Sequence, residues 1–147
     1  MASIFSTENE LLRTYLLCVS VLALKVLFMA PLTAIQRIKN MAFINSEDTG
    51  PMKLKPKIHE DVERVRRAHL NDLENIIVFF VVSFGYILTN PSLAFATLLF
   101  RIFVAARFVY TLVYAIYIIP QPARFFTCAV GYFTTVYMAV QTIIHFM

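Results

Sequence analysis

The chain has 147 residues, of which 59% are hydrophobic. Its mean hydropathy is +0.70, and it contains only three glycines, which is typical of helical membrane proteins and unlike soluble domains. The formal net charge is +4, but the basic residues cluster beside apolar segments. That placement favours a cytosolic membrane face and argues against a nucleic-acid surface.

Four apolar segments are each long enough to cross about 30 Å of hydrocarbon. The N-terminus is acidic and no small-residue cleavage site follows the first segment, so we expect that segment to be a retained membrane anchor. The sequence therefore predicts an all-α membrane protein with a four-transmembrane-helix bundle, formed by a single domain over residues 1–147. Helices are expected at about 9–37, 62–89, 93–119 and 122–146, with a polar cytosolic loop at about 38–61.

The basic residues predict the orientation of the bundle. With four spans, the long loop and the turn at 120–124 lie on the same side, and that side carries most of the lysines and arginines. The positive-inside rule places this side in the cytosol and both termini outside or in the lumen.

A polar stretch, VERVRRAHLNDLEN (62–75), runs directly into the apolar segment at 76–88. On a helix, one stripe of this stretch is polar, while His69 and Asp72 point elsewhere. Unpaired charge in hydrocarbon costs several kcal/mol, so the stripe needs partners from other helices, an anionic ligand or both. The stripe consists of Arg64, Arg67, Asn71, Glu74 and Asn75.

Two cations lie deep within other predicted spans. Lys25 is near the middle of the first helix, where we expect it to pair with a neighbouring helix, with a ligand contact or snorkelling to the membrane interface as the alternatives. Arg107 lies in the third helix. We expect it to form an ion pair with Glu74 or Asp72, the acids within the spanning segments, or to contact a ligand.

Several arginines are predicted to gather at the cytosolic mouth. Such a group is repulsive without a counter-ion, and arginine matches carboxylates in two-bond geometry. Tyr110 and Tyr114 add neutral donors, and the lipid-exposed flank would admit an apolar second molecule. The residues therefore suggest a site for a small polyanion plus a lipophilic partner, without specifying an enzyme. The arginines are Arg37, Arg64, Arg67 and Arg124.

The two cysteines suggest neither a disulfide nor a metal site. Cys18 and Cys128 both lie in apolar runs that the predicted topology places toward opposite membrane faces. No histidines or carboxylates accompany them at metal-ligand spacing, so no metal is expected.

The stretch VERVRRAHLNDLEN resembles the MAPEG family of membrane glutathione-dependent enzymes. Further blocks extend the resemblance over nearly the whole chain, and it is stronger to the microsomal glutathione transferases than to the prostaglandin E synthases. These blocks are TAIQR (33–37), AFINSED (42–48), RIFVAAR (101–107), TLVY (111–114) and PQPAR (120–124).

The resemblance implies a homotrimer in the endoplasmic reticulum membrane, with the mitochondrial outer membrane as a second candidate location. Glutathione would bind between subunits near the cytosolic side, and Arg124 would hold its thiolate. Arg64 and Asp72 fall in the same motif, with roles that the resemblance leaves open. The implied glutathione-binding residues are Arg37, Arg67, His69, Asn71, Glu74, Arg107, Tyr110 and Tyr114.

The function implied is conjugation of glutathione to lipophilic electrophiles, with glutathione peroxidase activity on lipid hydroperoxides. The alternatives are a prostaglandin E synthase-type isomerase and a non-catalytic lipid-binding membrane protein. Phe125 stands where prostaglandin E synthase has a serine credited with a catalytic role, and Leu70 replaces an arginine of that enzyme's motif. Tyr110 stands where relatives often have histidine, which leaves one ligand contact open.

Overall fold

The structure is a computed structural model that describes residues 6, 8–49 and 55–147, and over these residues the chain is helical without strands. Four of the described helical segments are long and apolar enough to cross a membrane: Glu10–Lys39, Glu60–Leu88, Leu93–Ile116 and Ala123–Phe146. The predicted all-α fold with four helices long enough to cross a membrane is confirmed, whereas the single-domain assignment and the homotrimer stay predictions. The elements are α1 (Glu10–Lys39), α2 (Ser46–Thr49), α3 (Glu60–Leu88), α4 (Leu93–Thr111), the π-helical turn (Leu112–Ile116) and α5 (Ala123–Phe146).

Helix α1 is defined at both ends by its sequence. The Oδ1 atom of Asn9 accepts hydrogen bonds from the N–H groups of Leu11 and Leu12, at 3.0 and 3.1 Å, which satisfies donors of the first turn. Arg37 and Lys39 lie in the last turn, where cations complement the helix dipole. Pro31 lies inside this one continuous helix.

Aromatic side chains fill the core of the bundle. Phe79 of α3 stacks on Phe103 of α4 with ring centroids 3.9 Å apart, and Phe100 packs edge-on against Phe79. All three are fully buried. The outer surface is apolar as well, as expected for lipid contact: Leu17, Leu27, Phe28, Val81 and Phe133 are each 65 to 70% exposed.

A second, smaller core lies at the end of the bundle that carries the polar half of α3. Met29, Val65, Ala68, Tyr110 and Ala115 are buried there together. Lys25, Asp72 and Arg107 lie along their helices between residues of the aromatic core and residues of this smaller core.

Candidate functional site

Three charged residues interrupt the apolar rows by which their helices pack. On α1, Lys25 follows Cys18 and Leu22 at three- to four-residue spacing, and Met29 continues the row. On α3, Asp72 continues the buried row of Val65, Ala68, Ile76 and Phe79. On α4, Arg107 continues the row of Ala96, Phe100 and Phe103. Residues at this spacing share one helix face, so all three charges point inward.

The three meet as a buried charge cluster of Lys25, Asp72 and Arg107. Arg107 donates to Oδ1 of Asp72 through Nη2 at 2.7 Å and Nε at 3.1 Å. Lys25 donates from Nζ to Oδ2 of the same carboxylate, and the Thr111 hydroxyl lies 3.4 Å from that oxygen. The side chains of Asp72 and Arg107 are completely buried, and that of Lys25 is 5% exposed.

Arg107 connects this cluster to residues of the predicted site. Its Nη2 also donates to Oδ1 of Asn71 at 2.7 Å, and its guanidinium carbon lies 4.6 Å from the centroid of the Tyr110 ring. Tyr110 in turn stacks on Tyr114 with centroids 5.3 Å apart. A continuous chain of contacts therefore runs from the buried cluster to the end of α4.

Two arginines flank Tyr114 at that end. The Nε of Arg67 donates to the Tyr114 hydroxyl at 3.3 Å. The guanidinium carbon of Arg124 lies 4.7 Å from the Tyr114 ring centroid, and its Nε donates to the carbonyl of Ile119 at 2.7 Å. No described residue accepts a hydrogen bond from the Nη groups of either arginine. We call Arg67, Tyr114 and Arg124 the open arginine group.

An irregular segment between α4 and α5 positions this group. The N–H of Tyr117 donates to the carbonyl of Leu112 at 2.8 Å, the i to i+5 spacing of a π-helix, which is frequent at functional sites. Ile118 then has φ of 52°, a strained conformation for a β-branched residue. This reversal brings the Ile119 carbonyl within hydrogen-bond distance of Arg124. The carbonyl oxygen partly offsets the unfavourable interaction of the Arg124 cation with the dipole at the N-terminus of α5.

Four other predicted residues lie outside this chain of contacts. Arg64 forms ion pairs with Asp61 and Glu60 of the same helix, at 2.5 and 3.2 Å. Arg37 is half-buried, and its Nε has no hydrogen-bond partner among the described residues. The side chains of His69 and Glu74 form no hydrogen bond with any described residue. Glu74 is exposed and lines a groove of about 340 Å³ between α3 and α5.

The geometry settles the two ion-pair predictions. The expected pairing of Lys25 with a neighbouring helix is confirmed, since it contacts Asp72 of α3. The expected ion pair of Arg107 with Glu74 or Asp72 is confirmed, and Asp72 is the partner, because Asp72 lies on the packed face of α3 and Glu74 does not.

Two groups that contact the site residues could not be predicted from a sequence pattern. The backbone carbonyl of Ile119 carries no residue-specific pattern, and the Thr111 hydroxyl is one of many in apolar runs. Both cysteines are free thiols. Among the described residues, no three or more histidines, cysteines or carboxylates are grouped to hold a metal ion.

Comparison with known proteins agrees with the resemblance seen in the motifs. A family model described as "MAPEG family" matches residues 15–144. The chain belongs to the MAPEG family. Microsomal glutathione S-transferase 1 of Mus musculus is 41% identical over 140 residues, which cover 91% of this chain and 90% of the relative. The Homo sapiens protein of the same name is 36% identical over the same shares.

The chain is also similar to prostaglandin E synthases, at lower sequence identity. Prostaglandin E synthase of Macaca fascicularis is 34% identical over 111 residues, covering 73% of this chain and 72% of the relative. Both the identity and the coverage are lower than for the transferase relative of Mus musculus.

Proposed function

We propose that this MAPEG protein is a membrane-bound glutathione transferase that conjugates the glutathione thiolate to lipophilic electrophiles. The observation that carries this proposal is the open arginine group, in which two guanidinium groups flank Tyr114 with their Nη donors unused. Two cations so close together favour an anion between them. The similarity to microsomal glutathione S-transferase 1 over 91% of the chain supports glutathione as that anion.

Arg124 is the residue we assign to catalysis. A thiol with a pKa near 8.5 is only a few per cent ionised at pH 7, and the thiolate is the nucleophile. A guanidinium within hydrogen-bond distance stabilises the thiolate and lowers the pKa of the thiol. The contacts of Arg124 with the Tyr114 ring and the Ile119 carbonyl fix its position while leaving its Nη groups for the sulfur.

The polar face of α3 suits the shape of glutathione, a tripeptide with two carboxylates and one ammonium group. Arg67 and Glu74 are seven residues apart on one face, a separation of about 10 Å along the helix axis. An extended tripeptide has about that length. We therefore assign Arg67 to a carboxylate and Glu74 to the ammonium group, with Asn71 and Tyr114 between them as neutral partners.

The remaining predicted residues receive different roles in this proposal. Arg107 and Tyr110 are buried, and we assign them to positioning Asn71 and Tyr114. Asp72 holds Arg107, and Arg64 holds the first turns of α3. The side chains of Arg37 and His69 form no hydrogen bond with these residues, and a homotrimer with glutathione between its subunits would give both a route to the ligand.

Lipophilic substrates would reach the thiolate from the bilayer, since the outer surface of the helices is apolar. We propose reduction of lipid hydroperoxides as a second reaction, in which two glutathione molecules and one hydroperoxide give glutathione disulfide, an alcohol and water. The microsomal names of the relatives support the endoplasmic reticulum membrane as the location. A location in the mitochondrial outer membrane stays a prediction.

Purified protein in lipid nanodiscs tests the proposal. We expect conjugation of glutathione to 1-chloro-2,4-dinitrobenzene, measured by absorbance, and slower reduction of cumene hydroperoxide. Phe125 is 62% exposed and offers no hydroxyl, so prostaglandin H2 should not be isomerised above the uncatalysed rate. Glutathione binding without conjugation would show a non-catalytic protein, and isomerisation without conjugation would show a synthase. Either result would overturn the proposal.

A further inference from the structure

Cys128 of α5 is a free thiol on the same helix face as Arg124. It follows Arg124 by four residues, a spacing that places the Cβ atoms of two helical residues about 5–6 Å apart. Side chains on a helix tilt toward its N-terminus, so the sulfur of Cys128 leans toward Arg124. Cys128 is half-buried, so its thiol is partly accessible.

A buried hydroxyl with unused hydrogen-bonding capacity lies in the same region. Cys128 packs against the smaller core, to which Tyr110 belongs. Tyr110 is only 6% exposed, yet its hydroxyl forms no hydrogen bond with any described residue. Buried hydroxyls are nearly always hydrogen-bonded, so an unpartnered one indicates that a polar group of a ligand comes there. The Tyr110 ring stacks on the ring of Tyr114, which Arg124 contacts, and this places the hydroxyl beside the open arginine group.

The second cysteine of the chain lies in a different environment. Cys18 is 7% exposed and belongs to the aromatic core with Phe79 and Phe100. Arg67, Tyr114 and Arg124 lie outside that core. Of the two thiols, Cys128 is therefore the one placed to react with a molecule held by Arg124, and Cys18 provides a matched control.

The proposed reduction of hydroperoxides contains a step that consumes a second thiol. The glutathione thiolate attacks the terminal oxygen of the hydroperoxide and the O–O bond breaks. The alkoxide that leaves takes up a proton to become the alcohol, and the glutathione sulfur is oxidised to a sulfenic acid. A sulfenic acid condenses with a thiol to form a disulfide. That thiol is either a second glutathione, which must first enter the site, or a thiol already present there.

We propose that Cys128 is the resolving thiol of hydroperoxide reduction, an inference that rests on the proposed function. The sulfur of Cys128 bonds to the sulfur of glutathione sulfenic acid as the S–O bond breaks. The thiol proton leaves with the hydroxyl group as water, which accepts a hydrogen bond from the Tyr110 hydroxyl. A second glutathione thiolate then attacks the glutathione sulfur of the mixed disulfide, and Cys128 leaves as a thiolate and regains a proton. The sum remains two glutathione molecules oxidised to the disulfide and one hydroperoxide reduced to alcohol and water.

Trapping of the mixed disulfide tests the proposal directly. Protein in nanodiscs is mixed with cumene hydroperoxide and one equivalent of glutathione, and the reaction is stopped with a thiol-blocking reagent. Mass spectrometry of the intact chain and of its peptides should show one glutathionyl group on Cys128 and none on Cys18. Glutathione disulfide supplied without hydroperoxide should label Cys128 more slowly. Unmodified Cys128 during turnover, or labelling by the disulfide at the same rate, would overturn the proposal.

Cys128→Ala should change the ratio of the two reactions. At glutathione concentrations well below saturation, we expect hydroperoxide reduction to fall about tenfold relative to conjugation of 1-chloro-2,4-dinitrobenzene, because the second thiol must now diffuse in. Conjugation forms no sulfenic acid, so the ratio isolates the resolving step. Cys18→Ala should leave the ratio as in wild type. The same ratio in Cys128→Ala and wild type would contradict the proposal.

Conjugation by the wild type separates failure of this inference from failure of the proposed function. A protein that conjugates glutathione but reduces hydroperoxide without the mixed disulfide, or does not reduce it, contradicts the inference alone. Loss of both reactions in wild type would contradict the proposed function as well. If Cys128→Ala does not fold, trapping in wild type decides. Tyr110→Phe keeps the ring and removes the hydroxyl, and it should slow formation of the mixed disulfide; an unchanged rate would remove that hydroxyl from the step.

Discussion

The buried charge cluster and the open arginine group are built from similar side chains with opposite consequences. In the cluster, Arg107 uses Nε and Nη2 on Asp72 and is completely sealed from solvent. In the open group, Arg67 and Arg124 each use Nε on a neutral partner and keep their Nη groups free of described partners. Arg107, paired with a buried carboxylate, holds helices together even though its Nη1 has no partner among the described residues, whereas the arginines of the open group are available to a ligand.

Removing the single acid of the buried charge cluster should cause the largest loss of stability. Asp72→Asn keeps the shape of the side chain but leaves Lys25 and Arg107 as buried, uncompensated cations. We expect a loss of about 3–5 kcal/mol in the free energy of unfolding, because the remaining charges cannot be rehydrated. Thermal unfolding in detergent measures it, and adding Lys25→Met should restore part of the loss. Unchanged unfolding in Asp72→Asn would show that the cluster is not structural.

Arg124→Ala should separate activity from stability. Removing the guanidinium takes away the proposed partner of the thiolate, and we expect conjugation to fall about a hundredfold or more. Glutathione binding and the unfolding temperature should change little, since Arg124 makes one hydrogen bond to backbone and one ring contact. Kinetics and calorimetry measure both quantities. Loss of binding with unchanged turnover of the bound fraction would remove Arg124 from catalysis.

Tyr114→Phe sharpens the comparison within the open group. The ring that Arg124 contacts is retained, but the hydroxyl that accepts from Arg67 is lost. One hydrogen bond contributes about 1 kcal/mol, so KM for glutathione should rise about fivefold while kcat changes less. A fall in kcat with KM unchanged would indicate that the hydroxyl itself acts on the thiol.

Arg66→Ala is the matched control with the smallest expected effect. Arg66 is next to Arg67 in the chain, but its side chain is half exposed and pairs with Glu63 on the same helix. Surface pairs of this kind contribute at most about 1 kcal/mol, and we expect conjugation to be unchanged. A large loss of activity in the same assay would mean that charge near α3, and not the contact of Arg67 with Tyr114, supports the site.

Much of this architecture could be predicted from periodicity. Four apolar runs gave the four spans, and helical spacing placed Arg67 and Asn71 on a polar stripe. The acid that pairs with Arg107 could be predicted from the same helical spacing. Asp72 lies at core spacing from Ala68 and Ile76, and this spacing separates it from Glu74, which lies on the polar stripe.

Other features depend on tertiary geometry that a one-dimensional pattern does not carry. Sequence spacing treats Tyr110 and Tyr114 alike, yet Tyr110 is buried against Arg107 and Tyr114 faces two arginines. The π-helical turn and the positive φ of Ile118 arise because the chain must reverse within a few residues to begin α5. No local residue preference predicts a β-branched residue in that conformation.

The ionisation of bound glutathione tests most directly whether the open arginine group acts on the ligand. Ultraviolet difference absorbance reports the thiolate, and it should be titrated with pH for wild type and Arg124→Ala at saturating glutathione. We predict that the pKa of the bound thiol lies well below the ordinary value of about 8.5 in wild type and returns toward it in Arg124→Ala. The same pKa in both proteins would contradict the account.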